Sequence, residues 1–146
     1  MNPQPESSKP RIAMVIDDND LDQFVTKKLI KAAQFADHVI SEWSAQDALK
    51  FLKENESHPE KLPDVIFLDI RMPEMDGFEF LDEYHKFKDD MKVKVRIVML
   101  SSSSDPKDRI RANESPLVQK FLSKPLSMTE LKDLGSVLMF KAPAPN

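Results

Sequence analysis

The chain contains no cysteine and only two glycines, Gly77 and Gly135, among its 146 residues. The absence of cysteine excludes a disulfide framework and a cysteine-ligated zinc site. Two isolated glycines exclude the glycine-rich phosphate loop of dinucleotide-binding proteins. Three scattered histidines, His38, His58 and His85, argue against a histidine-rich metal site and are expected at the surface. These absences favour a chain that folds around an apolar core in a reducing compartment.

Positive charge is also in short supply. The chain carries 21 Lys and Arg against 25 Asp and Glu, so its net charge of −4 offers no basic surface to a nucleic-acid backbone. No apolar run approaches the length of a bilayer span, and the first ten residues lack the apolar core of a signal peptide. The composition therefore argues against nucleic acid and membrane as partners and predicts a cytoplasmic protein.

The chain does contain five short apolar runs that alternate with helical patterns. The runs occupy residues 12–16, 39–40, 65–68, 95–100 and 117–122. Strands that alternate with helices predict an α/β fold with a parallel sheet covered on both faces. Both ends of the chain are polar and rich in proline. We therefore expect a disordered lead at residues 1–10, one domain at residues 11–140 and a flexible tail at residues 141–146.

Helix boundaries and buried faces follow from capping residues and apolar spacing. Ser44 is expected to cap the second helix, Ser127 and Glu130 form a capping box before the last, and residues 54–63 are predicted as a long surface loop. The fourth helix, near residues 106–113, has only Ile110 and Ala112 to bury. In the first and last helices the spacing predicts these inward-facing residues: Leu21, Phe24, Val25, Leu29, Ile30, Ala33, Leu131, Leu134, Val137 and Leu138.

Chemically active side chains follow four of the five predicted strands. They are Asp17 and Asp18 after the first strand, Asp69 after the third, Ser101 after the fourth and Lys124 after the fifth. Because the carboxyl ends of parallel strands share one edge of a sheet, we expect these residues to converge. Crowded carboxylates need a cation, and Mg²⁺ suits oxygen ligands and a shared phosphate. A lysine and a hydroxyl can bind phosphoryl oxygens, and an aspartate can attack phosphorus to form an acyl phosphate.

Each of these residues also has an ordinary structural explanation when it is taken alone. The acid pair can cap a helix, Asp69 can belong to the turn before Pro73, and Lys124 can be a solvated loop residue. Phe121 is interpreted first as core packing. The functional interpretation therefore depends on the whole set rather than on any single member.

Four motifs, in order VIDDN, FLDIRMPEMDG, VMLSS and FLSKP, resemble those of the receiver domain of two-component response regulators, over about residues 11–140. The chain is similar in particular to the chemotaxis response regulator, a stand-alone receiver. The resemblance implies a doubly wound, flavodoxin-like five-stranded sheet with strand order 2-1-3-4-5. It departs from the family where ANESPLVQKF lacks the common glycine–alanine pair before the fifth strand.

The resemblance also implies roles for the strand-end residues. Asp69 would be the phosphoacceptor, and Asp18, Asp69 and the backbone carbonyl of Arg71 would hold Mg²⁺, or Mn²⁺ instead, with Asp17 helping through water. Ser101 and Lys124 would bind the phosphoryl oxygens.

Two further features belong to the same resemblance. Lys124–Pro125 matches the family's cis peptide, and Ser101 with Phe121 matches its switch pair. Arg71 and Ser103 match positions that border the route of water to the acyl phosphate. We hypothesise that Arg71 influences the lifetime of the phosphorylated state.

The implied function is that of a single-domain receiver, which is not an enzyme with a separate turnover substrate. It would accept a phosphoryl group from a sensor histidine kinase or a histidine phosphotransfer protein. Phosphorylation would then change the surface formed by the fourth helix, the fifth strand and the last helix, for a protein partner or a phospho-dependent homodimer. The alternatives are a phosphorelay intermediate, a Mg²⁺-dependent phosphatase and a phosphorylation-independent interaction module.

Overall fold

The computed structural model describes residues 10–102 and 105–138. Five parallel strands form one sheet in the order β2-β1-β3-β4-β5, which confirms the predicted topology. The predicted lead and tail lie outside the described residues, apart from Pro10, which is buried. The strands are β1 (Ile12–Ile16), β2 (His38–Glu42), β3 (Val65–Asp69), β4 (Arg96–Ser101) and β5 (Val118–Ser123).

Helices connect and flank these strands. They are α1 (Asp20–Ala32), α2 (Ala45–Glu54), α3 (Gly77–Tyr84), α4 (Asp89–Lys94), α5 (Pro106–Glu114) and α6 (Met128–Leu138). The short α4 was not predicted, because a helix of six residues that buries only Met91 leaves no periodic apolar stripe in the sequence. A 3-10 helix at Pro59–Lys61 interrupts the segment that was predicted as a long surface loop.

The core lies in two layers, one on each side of the sheet. β1 and β3 are buried along their whole length, as their unbroken apolar runs predict for central parallel strands. Successive residues alternate between the layers, so Met14 and Ile16 pack on one side while Ala13 and Val15 pack on the other. This double burial fixes the strand ends, and with them the side chains that follow.

The buried face of α1 agrees with the predicted one only in its second half, where Ile30 is buried and Leu29 and Ala33 pack against the core. Leu21 and Phe24 are 68% and 59% exposed, and Val25 is also exposed, whereas Gln23 and Thr26 are buried. The amide of Gln23 donates hydrogen bonds to the carbonyl oxygens of Val15, Asp17 and Glu42, at 3.1, 3.1 and 2.9 Å. Because buried carbonyls accept hydrogen bonds readily, this polar contact contributes to the rotation of the helix beside the packing of Ile30.

Two other apolar positions were assigned to the wrong face. Val137 of α6 and Ile110 of α5 are exposed. α5 instead buries Ala112 and, unexpectedly, Asp108, which pairs with an arginine described below. The inward leucines of α6, Leu131, Leu134 and Leu138, are buried as predicted.

Helix caps agree with the sequence prediction. Ser44 accepts a hydrogen bond from the backbone N–H of Asp47, and Ser127 and Glu130 form the expected reciprocal box. At the start of α1, Asn19 accepts a hydrogen bond from the backbone N–H of Asp22. Across the part of the chain that the structure describes, none of the helices is long and apolar enough to cross a membrane.

Candidate functional site

Three carboxylates meet at the carboxyl edge of the sheet. Asp17 and Asp18 follow β1, and Asp69 ends β3, the strand beside it. One oxygen of each carboxylate lies within 4.8 Å of the others. Asp17 and Asp69 are buried, whereas Asp18 is exposed to solvent. The structure therefore brings together the three acids that the sequence placed at strand ends.

Lys124, beyond β5, reaches into this cluster from the opposite side. Its Nζ lies 2.7 Å from Asp17 Oδ2 and 3.2 Å from Asp69 Oδ1. It also lies 2.8 Å from Oδ2 of Asp22, a residue that sequence reasoning missed. Asp22 sits in the first turn of α1 rather than at a strand end, so the strand-end pattern gave no signal for it.

Burial and crowding change the proton affinity of the site. Burial, reinforced by the charge of Asp17 and opposed by Lys124, raises the pKa of Asp69 to about 6. Burial also raises the pKa of Asp17. Burial by itself would lower the pKa of Lys124, but its hydrogen bonds to Asp17 and Asp22 and the charge of Asp69 raise it. The site thus holds a firmly protonated ammonium among more negative charge than it can neutralise.

The ends of β4 and β5 complete the edge. Ser101, the last residue of β4, is buried, and its backbone oxygen accepts a hydrogen bond from the N–H of Lys124 at 2.9 Å. The peptide bond between Lys124 and Pro125 is cis. Phe121 points inward and is buried, with the guanidinium of Arg109 4.7 Å from the centre of its ring.

Gly77 packs against the backbone of β3. A Cβ atom at this position would lie 2.6 Å from the carbonyl oxygen of Asp69 and 3.0 Å from Cε of Met99. The N–H of Gly77 also donates to the carbonyl oxygen of Ile70 at 2.8 Å. Only glycine allows the start of α3 to approach β3 this closely, and a capping box of Asp76 and Glu79 fixes that start.

Arg71 extends away from the acids toward α5. Its Nη2 lies 2.6 Å from Oδ2 of Asp108, and its side chain is 57% exposed. Ser103, the other residue assigned to the water route, lies outside the described residues. Asp108 is a second residue that the sequence did not reveal, because an acid inside a polar helix gives no sign of being buried.

The donor set suits a hard divalent cation. Carboxylate oxygens are the preferred ligands of Mg²⁺, and Asp17, Asp18 and Asp69 supply three of them within one small volume. Three carboxylates, those of Asp17, Asp22 and Asp69, lie within 3.2 Å of a single ammonium. The residues present therefore fit a metal ion in both ligand type and charge.

Comparison with known proteins identifies close likenesses. The family model for the response regulator receiver domain matches residues 13–134. A probable methanogenesis regulatory protein, FilR2, from Methanothrix harundinacea is 30% identical over 129 residues, covering 87% of this chain and 80% of the relative. The sensor histidine kinase CheAY of Helicobacter pylori is 30% identical over 119 residues, which cover 80% of this chain but only 13% of that protein.

Solved structures show the same fold. A two-component response regulator from Cytophaga hutchinsonii superposes with a TM-score of 0.81 at 32% identity, covering 89% of this chain and 98% of that one. The Mn²⁺-bound form of response regulator Rcp1 gives a TM-score of 0.68 at 23% identity, with coverage of 94% and 100%. At that lower identity the second likeness concerns the fold alone.

Proposed function

The chain belongs to the response regulator receiver domain family, and we propose that it accepts a phosphoryl group onto Asp69 from a phosphohistidine. The donor would be a sensor histidine kinase or a histidine phosphotransfer protein. The observation that carries this proposal is the placement of Asp69: a buried carboxylate 3.2 Å from the ammonium of Lys124 and beside Asp17 and Asp18.

The proposed reaction transfers a phosphoryl group from a histidine nitrogen to the carboxylate of Asp69. An oxygen of Asp69 attacks phosphorus as the bond from phosphorus to the histidine nitrogen breaks, and the bonding electrons stay with that nitrogen. Lys124 supplies a positive charge to the phosphoryl oxygens, and Ser101 supplies a hydroxyl donor at the neighbouring strand end. The product is an acyl phosphate on Asp69, and the reaction needs no separate turnover substrate.

A divalent cation would be held by Asp18, Asp69 and the backbone carbonyl of Arg71, with Asp17 acting through water. Mg²⁺ is the ion we assign, with Mn²⁺ as the alternative, and when bound it neutralises the charge that develops on the transferred group. The response regulator Rcp1, which has the same fold, has a Mn²⁺-bound form. The acid cluster supports this assignment because its negative charge exceeds what Lys124 balances.

Phosphorylation would change a binding surface made of α5, β5 and α6. The modification raises the negative charge on Asp69 from about one to about two and adds acceptor oxygens. Ser101 and Phe121 are the switch residues we assign. α5 supports such a role because it buries only Asp108 and Ala112 and so has little apolar packing to hold it. We assign the protein to the cytoplasm, with a protein partner or a phospho-dependent second copy as its target.

The test is phosphorylation by acetyl phosphate in the presence of Mg²⁺, followed by intact mass. We expect a single phosphate adduct on the wild type, no adduct on Asp69→Asn, and a normal adduct on Asp82→Asn, an exposed carboxylate of α3. Failure of the wild type to form an adduct would exclude this function and favour a phosphorylation-independent interaction module. An adduct that persists in Asp69→Asn would show that another residue is modified and would exclude Asp69 as the acceptor.

A further inference from the structure

Lys124 is shared with an acid that stands outside the metal-binding cluster. Asp22 Oδ2 lies 2.8 Å from Nζ, as close as Asp17 and closer than Asp69 at 3.2 Å. An ammonium has three N–H donors, so three carboxylates can occupy all of them. In the resting state the group that would bind the phosphoryl oxygens is therefore already engaged on the α1 side.

Asp22 is held in this position by its own backbone. Its N–H donates to Oδ1 of Asn19, the N-cap of α1, at 2.9 Å, so the residue is fixed in the first helical turn. Its side chain is 38% exposed, whereas that of Lys124 is 12% exposed. The pair thus lies at the border between the buried acids and solvent.

Open space adjoins the same pair. A cleft of about 290 Å³ runs between α1 and the segment after β5, with Asp22, Lys124 and Ser102 among its polar walls and Leu21, Val25 and Pro125 among its apolar ones. A small phosphodonor that enters there is an anion. In this cleft it would face the carboxylate of Asp22 as well as the ammonium of Lys124.

We propose that Asp22 is a positioning residue that holds the ammonium of Lys124 toward α1 and so slows the phosphorylation of Asp69 by small anionic phosphodonors. The inference rests on the proposed function of Asp69. The carboxylate of Asp22 competes with the phosphoryl oxygens for the ammonium of Lys124, so less positive charge is available to stabilise the phosphoryl group during transfer. Asp22 would in this way affect which donors the protein uses. Repulsion between Asp22 and the donor acts in the same direction.

The test compares initial rates of phosphorylation by acetyl phosphate with Mg²⁺ in three variants and the wild type. Asp22→Asn keeps the shape but removes the charge, so we expect its rate to rise roughly three- to tenfold, the size of one partly exposed charge-assisted contact. Asp22→Glu restores the charge and is expected to react more slowly than Asp22→Asn. Because the effect is electrostatic, the gain in Asp22→Asn should shrink as ionic strength rises.

Asp20→Asn is the matched control. Asp20 lies in the same helical turn, but its carboxylate accepts a hydrogen bond from the indole N–H of Trp43 rather than from Lys124. The same substitution there should leave the rate close to that of the wild type. Two results would overturn this inference and leave the proposed function standing, provided that the wild type is phosphorylated. One is that Asp22→Asn reacts no faster than the wild type, and the other is that Asp22→Glu reacts as fast as Asp22→Asn. A wild type that forms no adduct overturns both.

Discussion

At the scale of the residue, the site is built from buried charges that do not balance. Asp69 is 8% exposed, and the backbone of β3 holds its carboxylate beside Asp17. Lys124 is the cation that forms an ion pair with Asp69 among the described residues, and Asp17 and Asp22 contact the same ammonium. Burial and neighbouring negative charge raise the pKa of such an acid, and a cation that neutralises its ionised form stabilises the site.

The metal-free protein should therefore lose stability as pH rises through the range in which Asp69 ionises. Its pKa of about 6 exceeds the ordinary 3.8, so between these values the folded state binds more protons than the unfolded state and the free energy of unfolding falls. Above pH 6 the loss is complete, at about 3 kcal/mol. Asp69→Asn cannot ionise, so its melting temperature in EDTA should match the wild type near pH 4 and exceed it above pH 6.

Thermal unfolding of both proteins from pH 4 to 8 checks this expectation. Asp82→Asn, a surface change on α3, controls for the substitution itself. A difference between Asp69→Asn and the wild type that stays constant with pH would contradict the burial of Asp69 among other acids.

At the scale of the element, α5 has little apolar packing to hold it, since Ala112 is its one buried apolar residue. Its anchors are polar: the ion pair between Arg71 and Asp108, and the guanidinium of Arg109 against the ring of Phe121. A further guanidinium, that of Arg111, lies 4.2 Å from the ring centre of Phe78. Since Arg71 stands two residues after Asp69, the ion pair joins the loop after β3 directly to this helix.

Removal of the Arg71–Asp108 pair should loosen α5 while the rest of the fold persists. We expect Asp108→Asn and Arg71→Gln each to speed amide hydrogen exchange in α5 relative to α6. A double-mutant cycle should give a coupling free energy of about 1 kcal/mol, because Arg71 is largely exposed and solvent screens the pair.

Asp133→Asn, an exposed carboxylate of α6, is the control and should leave exchange in α5 unchanged. Equal exchange in α5 for wild type, Asp108→Asn and Arg71→Gln would show that the pair does not anchor the helix.

At the scale of the whole molecule, the two ends of the sheet differ in how well their buried negative charges are compensated. At the amino end, Asp64 accepts hydrogen bonds from the backbone of Arg11 and Ile12 and from Lys94 at 2.6 Å. Burial opposes ionisation there, yet these bonds lower the pKa of Asp64 overall. The acids at the carboxyl edge lack such compensation. The stabilising contacts of Asp64 and the proposed functional site therefore lie at opposite ends of the strands.

Mg²⁺ should therefore stabilise the whole domain. A ligand that binds only the folded state at one hundred times its dissociation constant adds about 2.7 kcal/mol to the free energy of unfolding. We expect the melting temperature to rise with Mg²⁺ concentration, to return to its starting value in EDTA, and to respond weakly in Asp18→Asn. Asp20→Asn should respond as the wild type does, and an Mg²⁺ response in Asp18→Asn equal to that of the wild type would argue against this ligand set.

The sequence by itself determined the features that depend on local pattern. Unbroken apolar runs gave the buried strands, and polar residues at their ends gave Asp17, Asp18, Asp69 and Lys124. N-cap chemistry gave the starts of α2 and α6. Each of these features is fixed by neighbours along the chain. The strand order came from the likeness of four motifs to a known family and was confirmed by the sheet.

Only the tertiary structure decided which distant groups meet. Asp22 and Lys124 are 102 residues apart, and Arg71 and Asp108 are 37 apart, so no local spacing indicates either pair. The rotation of α1 was likewise set in three dimensions, where the carbonyls of two strand ends needed the amide of Gln23. Apolar spacing describes what a helix can bury, whereas the face that α1 turns inward also depends on the carbonyl oxygens that β1 and β2 offer to Gln23.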